Sequence, residues 1–178
     1  MSRYRRSQIP GGTYFFTVTL ADRRSQLLVD RIDRLREALQ SVRVRHPFKT
    51  IAVCVLPDHI HAVWRLPEAD AGYGARWGLI KRLFSSGLPA SQSLTTSKLA
   101  KREKGIWQRR FWEHQIRDDA DLQKHVDYVH FNPVKHGLVR QVRDWPHSSF
   151  HNYVKRGVMS EDWAGGEGGD DVGFGERE

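Results

Sequence analysis

Two histidines, His59 and His61, sit one residue apart in LPDHIHAVW, residues 56–64, a run otherwise apolar and strand-like. On a strand the side chains alternate, so His59, His61, Val63 and Arg65 share one side while Ile60, Ala62, Trp64 and Leu66 share the other. The second set makes a core face. The two imidazoles are left adjacent and parallel in direction, an arrangement that suits a metal ion. Satisfied or exposed histidines would give the same pattern, so a third ligand has to come from elsewhere. A late segment, Leu122 to Asn132, offers one. At about 100° per residue, Leu122, Val126 and Val129 form a stripe that would pack onto a sheet. His125, Tyr128 and Asn132 form a second stripe about a quarter turn away, where a phenol stands one turn from a carboxamide oxygen able to bind a cation. The structural alternative is a boundary tyrosine followed by an asparagine that caps the helix before Pro133.

Charge indicates what such a site would act on. Seven of the 21 acids and only one of the 29 bases fall from Glu161 onward, which leaves 28 bases and 14 acids in residues 1–160. A chain with twice as many bases as acids over its main body suits a polyanion, most economically nucleic acid. A solvated basic surface gives the same count, so placed residues must decide. The lone cysteine, Cys54, excludes an internal disulfide and suits a reducing compartment. With no run of about 18 apolar residues and no apolar leader in MSRYRRSQIPGG, the expected location is the cytoplasm.

The elements that must position these residues follow from periodicity and turn chemistry. TYFFTVTL, Thr13 to Leu20, reads as a strand after the Pro10-Gly11-Gly12 turn. Ile32, Leu35, Leu39 and Val42 space one face of a helix over Arg31 to Val44. KTIAVCVL and HIHAVWRL form a hairpin about Pro57-Asp58. A second helix spans roughly Gly74 to Ser85, with Trp77, Ile80, Lys81 and Phe84, and ends near Gly87 and Pro89. Residues 88–105 are polar and basic and read as a mobile connection. Ile106 to Ile116 is a strand candidate. Asp118-Asp119 then caps a helix to about Asn132, where Pro133 is expected to stop it. The order β, α, β, β, α, β and a further helix predicts an α+β, ferredoxin-like sandwich. Its antiparallel sheet would carry helices on one face, plus the C-terminal helix with the tyrosine. Residues 1–160 would form one domain, and residues 161–178 an acidic, glycine-rich, disordered tail.

The spaced motifs together resemble a known family. The pair His59-Ile60-His61 with a late helical tyrosine is similar to the HUH single-strand nucleases and transposases, where U is a hydrophobic residue. Within that group YRRSQIPGGTYFFTVTLADRRSQLLV, LPDHIHAVWRLP, IKRLF, WQRRFWEHQIRDDADLQKHVDYVHFNPVKHGLV and DWPHSSFHNYVKRG resemble the REP-associated tyrosine transposases, from about Tyr4 to Gly157. The resemblance implies that His59 and His61 bind a divalent cation, Mg²⁺ or Mn²⁺, that Asn132 completes the ligands, and that Tyr128 is the nucleophile. It implies cleavage of single-stranded DNA at or near repetitive extragenic palindrome hairpins, with a tyrosine joined to the 5′ phosphate and a free 3′ hydroxyl. It also implies a monomer, although one tyrosine per chain would require a dimer for concerted chemistry at two ends.

Binding residues follow from charge and the resemblance together. Arg3, Arg5 and Arg6 with Tyr4 form a basic, aromatic arm suited to phosphates and unpaired bases. Lys81 and Arg82 on the second helix, and Arg109, Arg110 and Arg117 about the last strand, are candidates to hold the DNA backbone. Trp107 and Trp112 suit base stacking or the core. Two other functions fit the same fold. A non-catalytic hairpin-binding module would need the arm and not the His59, His61, Tyr128, Asn132 set. A nuclease using water would leave Tyr128 structural.

Overall fold

The computed structural model describes residues 7–90 and 104–164. In chain order these form β1 (Thr13–Thr19), a short α1 (Leu27–Asp30), α2 (Ile32–Arg45), β2 (Lys49–Val55), β3 (His59–Arg65), α3 (Tyr73–Ser85), β4 (Trp112–Gln115), α4 (Asp119–Lys135), a 3-10 turn (Val142–Asp144) and α5 (Phe150–Lys155). The four strands make one sheet in the order β2-β3-β1-β4, with every neighbouring pair antiparallel. This is the α+β sandwich that the element order predicts.

Alternation in β1 builds two cores. Tyr14, Phe16 and Val18 turn to one face, where Leu35, Ala38 and Val42 of α2 and Tyr73, Trp77, Ile80 and Phe84 of α3 cover them. An aromatic stack fills that layer, with Trp64 parallel to Trp77 at 4.3 Å between ring centroids. Each such buried side chain stabilises the fold by about 1.5–3 kcal/mol. Phe15 turns the other way and joins Ala52, Cys54, Leu56 and Val63 against Val126, Tyr128 and Val129 of α4. The sheet is therefore covered on both sides, by α2 and α3 on one face and by the tyrosine-bearing helix on the other. Apart from Arg65, every residue of β3 is buried.

The edge strand β2 is closed in part by the chain's return. Val55 donates its N–H to the His147 carbonyl and Ser149 donates to the Val53 carbonyl, which leaves less of the edge open to pairing with another chain. Neither α1 nor α5 is foreshadowed by a clear apolar period.

Two boundaries differ from expectation. Of the strand expected over Ile106 to Ile116, only Trp112–Gln115 is strand, preceded by an isolated bridge between Leu20 and Trp107. Gly105 has φ +67 and Gln108 to Arg110 are exposed, so that stretch reaches the sheet at its two ends only. Pro133 does not stop α4, which runs to Lys135. Its missing N–H costs one bond, to the Val129 carbonyl. Its own carbonyl then closes the helix: Leu138 donates to Pro133 and Gly137, at φ +66, donates to Val134, the two bonds of a Schellman cap. At the other end Asp118 accepts from the Asp121 N–H, and Asp119 and Asp121 complement the positive end of the helix.

Candidate functional site

β3 begins at His59 because the Pro57-Asp58 turn ends there, with Leu20 donating its N–H to the Asp58 carbonyl and Leu56 donating to the His59 carbonyl. Pairing with β1 sets His59 opposite Thr19 and His61 opposite Thr17. The imidazoles share a face, as alternation requires, with ring centroids 4.7 Å apart. Both are buried, at 1% and 0% exposure. Each has an oriented Nδ1. His59 Nδ1 donates to Asp58 Oδ1 at 2.8 Å, and His61 Nδ1 lies 3.0 Å from Thr17 Oγ1. Asp58 is held in turn by the Arg23 guanidinium at 3.0 Å. Burial alone would raise the Asp58 carboxyl, but the His59 hydrogen bond and the charges of His59 and Arg23 hold it below the ordinary carboxylate range.

α4 brings the tyrosine to this face. Leu122, Val126 and Val129 pack toward the sheet as their spacing predicts, and His125, Tyr128 and Asn132 are buried beside them. Tyr128 meets His61 edge to face at 5.2 Å between centroids. Phe15 fills the space behind, 5.5 Å from His61 and 5.9 Å from Tyr128. Asn132 follows Tyr128 by one helical turn and is fully buried. The Lys135 ammonium donates to the Tyr128 hydroxyl at 3.3 Å and lies 4.8 Å from the ring centre. His136 stands 5.2 Å from His59 and lines, with Arg23, Arg24 and the 56–58 turn, a cleft of about 380 Å³ that reaches His59.

Other residues fall into place around this centre. Tyr153 is committed elsewhere: its hydroxyl donates to the Ile51 carbonyl at 2.8 Å, and burial raises its pKa. Burial raises the Cys54 thiol too, which keeps it protonated and inert. Glu113 pairs opposite Phe16 and turns away from the histidine face, whereas His114 pairs opposite Phe15 and turns toward it.

His114, Asp121 and His125 form a group whose ligand atoms lie within 4.8 Å of one another, a possible His-Asp-His metal site. Its internal bonds define a second role. His114 Nε2 donates to Asp121 Oδ2 at 2.8 Å, the Arg117 N–H donates to the same oxygen at 3.0 Å, and His125 Nδ1 donates to the Asp121 carbonyl at 2.7 Å. The two rings are stacked, 13° apart with centroids 4.7 Å from each other. The group ties β4 to the first turn of α4. Burial, with the His114 charge, pushes His125 below the ordinary histidine value against the pull of Asp121. Burial would raise Asp121, but hydrogen bonds from His114 and Arg117 hold it low.

Of the candidate binding residues, Arg3, Tyr4, Arg5 and Arg6 lie outside the described residues. Lys81, Arg82 and Arg109 line one cleft of about 550 Å³, joined there by Lys104 and Trp107. Lys81 donates to the Gln108 carbonyl at 2.9 Å and sits 5.6 Å from the Trp107 ring. Arg110 is exposed beside them, and Arg117, also exposed, lies 3.5 Å from Asp121. Trp112 is partly buried and packs edge-on against Phe15. Arg23, Thr17, Lys135 and His136 join the site without a motif that marks them. The Asp that directly precedes His59 was the available signal for the first, and a helix continued past Pro133 would have shown the last two.

No family model matches the chain. The REP-associated tyrosine transposase of Escherichia coli K12 is 48% identical over 165 residues, 93% of this chain and 92% of that protein. This chain belongs to the REP-associated tyrosine transposases. A Haemophilus influenzae protein named as a candidate member is 49% identical over 166 residues, covering 93% of this chain and 94% of its own. A REP-associated tyrosine transposase solved with a REP hairpin bound superimposes at a TM-score of 0.87 with 48% identity, covering 100% of this chain and 99% of that one. Family membership thus agrees with the four-stranded antiparallel sheet and its flanking helices. Among the described residues no helix is long and apolar enough to cross a membrane.

Proposed function

We propose that this REP-associated tyrosine transposase is a metal-dependent single-stranded DNA endonuclease and strand-transferase, cutting and rejoining DNA at repetitive extragenic palindrome hairpins through a 5′-phosphotyrosine. The observation that carries the reading is the edge-to-face contact of His61 with Tyr128, on the face that His59 shares. That contact supports the reading because it brings a phenol close to two imidazoles. Hairpin recognition is supported by the relative solved with a REP hairpin.

The donor set fits a divalent cation, Mg²⁺ or Mn²⁺. In both imidazoles Nδ1 is committed to an orienting partner, Asp58 or Thr17, so Nε2 is the atom that would ligate. Asn132 would add a carboxamide oxygen. Two neutral nitrogens and an amide leave the ion's charge uncompensated and leave positions open for phosphate oxygens. When bound, the cation would polarise the scissile phosphate and stabilise the charge that develops on it.

The chain's own groups supply the rest. A phenol with an ordinary pKa near about 10 is a weak nucleophile, so Tyr128 gains from being held in one orientation by Phe15 and His61. Its oxygen attacks phosphorus as the bond to the 3′ oxygen breaks; the phenol proton passes to solvent and the 3′ oxygen gains one. The phosphotyrosine retains the diester's energy. A 3′ hydroxyl from another strand then displaces Tyr128 and reseals DNA without a nucleotide cofactor.

The cleft of Lys81, Arg82, Lys104 and Arg109 would track backbone phosphates, with Arg110 at its margin. The arm of Arg3, Tyr4, Arg5 and Arg6 would meet unpaired bases beside the hairpin. Incubating the protein with hairpin DNA bearing single-stranded flanks, with and without Mn²⁺ or Mg²⁺, tests the whole reading. The expected products are a free 3′ hydroxyl fragment and a protein–DNA species that survives denaturation. Tight binding without cleavage would select the non-catalytic module, and cleavage without the covalent species would select the water-using nuclease.

A further inference from the structure

Lys135 is an exposed residue of the last turn of α4, where a cation already complements the helix dipole without touching anything else. Its side chain nevertheless folds back two turns along the helix. The ammonium donates to the Tyr128 hydroxyl at 3.3 Å and lies 4.8 Å from the ring centre, so one group engages both the oxygen and the π face. Immobilising a lysine costs rotamer entropy, which the cation–π contact and hydrogen bond offset. The geometry has a chemical consequence. Any phosphorus bonded to the Tyr128 oxygen carries its non-bridging oxygens beside that oxygen, within reach of the ammonium already there.

We propose that Lys135 is a catalytic residue: its ammonium binds the phosphoryl oxygens as the bond from Tyr128 to phosphorus forms, and it holds the resulting phosphotyrosine. This rests on the reading of Tyr128 as nucleophile. In the step the Tyr128 oxygen–phosphorus bond forms as the phosphorus–3′ oxygen bond breaks, and Lys135 stays protonated throughout. An ammonium offers three donors and no acceptor, the requirement for a dianionic transition state. A lysine only packed on the ring would support folding and would leave the phosphate untouched.

The test compares wild type, Lys135→Met and Lys135→Arg as full chains on hairpin DNA with single-stranded flanks. Single-turnover adduct formation, affinity for the uncut DNA and thermal unfolding are followed in each. The inference predicts that Lys135→Met slows adduct formation about 100-fold, the loss typical of one transition-state donor. Affinity should change less than about threefold and the unfolding temperature should hold, while Lys135→Arg recovers most of the rate. Wild-type rates in Lys135→Met overturn the inference and leave Tyr128 as nucleophile. So does a rate loss that Lys135→Arg does not relieve, or one matched by lost affinity. A wild-type protein that forms no adduct overturns both readings.

Discussion

His61 and Tyr128 meet edge to face, their ring centroids 5.2 Å apart and their planes 71° apart. One sits in a central strand and the other on the helix that covers it, so their contact exists only in the folded chain. Phe15, opposite Val63 in the sheet, supports both rings from the neighbouring strand. The consequences can be measured one residue at a time.

Asp58 fixes the ring of His59 and is itself fixed by Arg23. Asp58→Asn keeps the volume and loses the charge that orients the Nδ1 proton. Affinity for Mn²⁺ should fall about 10- to 100-fold, the usual cost of an orienting partner. Calorimetric titration of the metal measures it, and equal affinity in variant and wild type would remove Asp58 from the site.

Phe15 is fully buried between His61, Tyr128, Trp112 and His125. Phe15→Ala should destabilise the protein by about 3–5 kcal/mol through lost burial and a cavity. Phe15→Leu should retain most of the stability yet slow adduct formation, because a narrower side chain leaves both rings less well held. Urea unfolding and adduct kinetics on the two variants separate packing from positioning.

Asp121 predicts a pH dependence of stability. Its folded carboxyl lies below the ordinary value, so the unfolded state binds a proton more readily. Its contribution is present above the unfolded pKa of about 3.9 and is lost as pH falls through the folded value. Asp121→Asn should cost about 1–2 kcal/mol at pH 7, with the gap to wild type narrowing below about pH 4. A difference constant from pH 7 to pH 3 would contradict this.

Arg82 and Arg109 line the same basic cleft. If each meets a phosphate, Arg82→Ala and Arg109→Ala should each lower the slope of log affinity against log salt by about 0.7–0.9. Fluorescence anisotropy with a labelled hairpin between 50 and 200 mM salt, taken as roughly the informative range, gives those slopes. Unchanged slopes would place the DNA elsewhere.

Much of this site can be read from local sequence, because strand and helix periods are local properties. Alternation in HIHAVWR is enough to put His59 and His61 together and Trp64 behind them. Helical spacing is enough to set Tyr128 and Asn132 on one side of α4. The partners of those residues are not local. Thr17 reaches His61 only through the register of β1 on β3, and no pattern in either segment states that register. The same holds for the layer over the histidines: alternation leaves that face unassigned, and α4 is what makes it a core. Pro133 illustrates a different failure. A proline ordinarily ends a helix, yet here the Gly137 cap uses its carbonyl, and stopping α4 at Asn132 hides Lys135 and His136. The strand expected at Ile106 shortens because its pairing is interrupted: Ile106 to Gln108 meet the end of β1, the exposed Arg109 and Arg110 leave it, and regular pairing resumes at Trp112.

The central claim is that Tyr128 becomes joined to DNA. Hairpin DNA incubated with the protein and Mn²⁺, followed by protease digestion and mass spectrometry of the nucleotide-bearing peptide, locates the bond directly. The account predicts one linkage, through Tyr128, which Tyr128→Phe abolishes while hairpin affinity stays within about threefold, since a lost hydroxyl contact is worth little net energy. A linkage through Tyr153, or an adduct that survives in Tyr128→Phe, would contradict it.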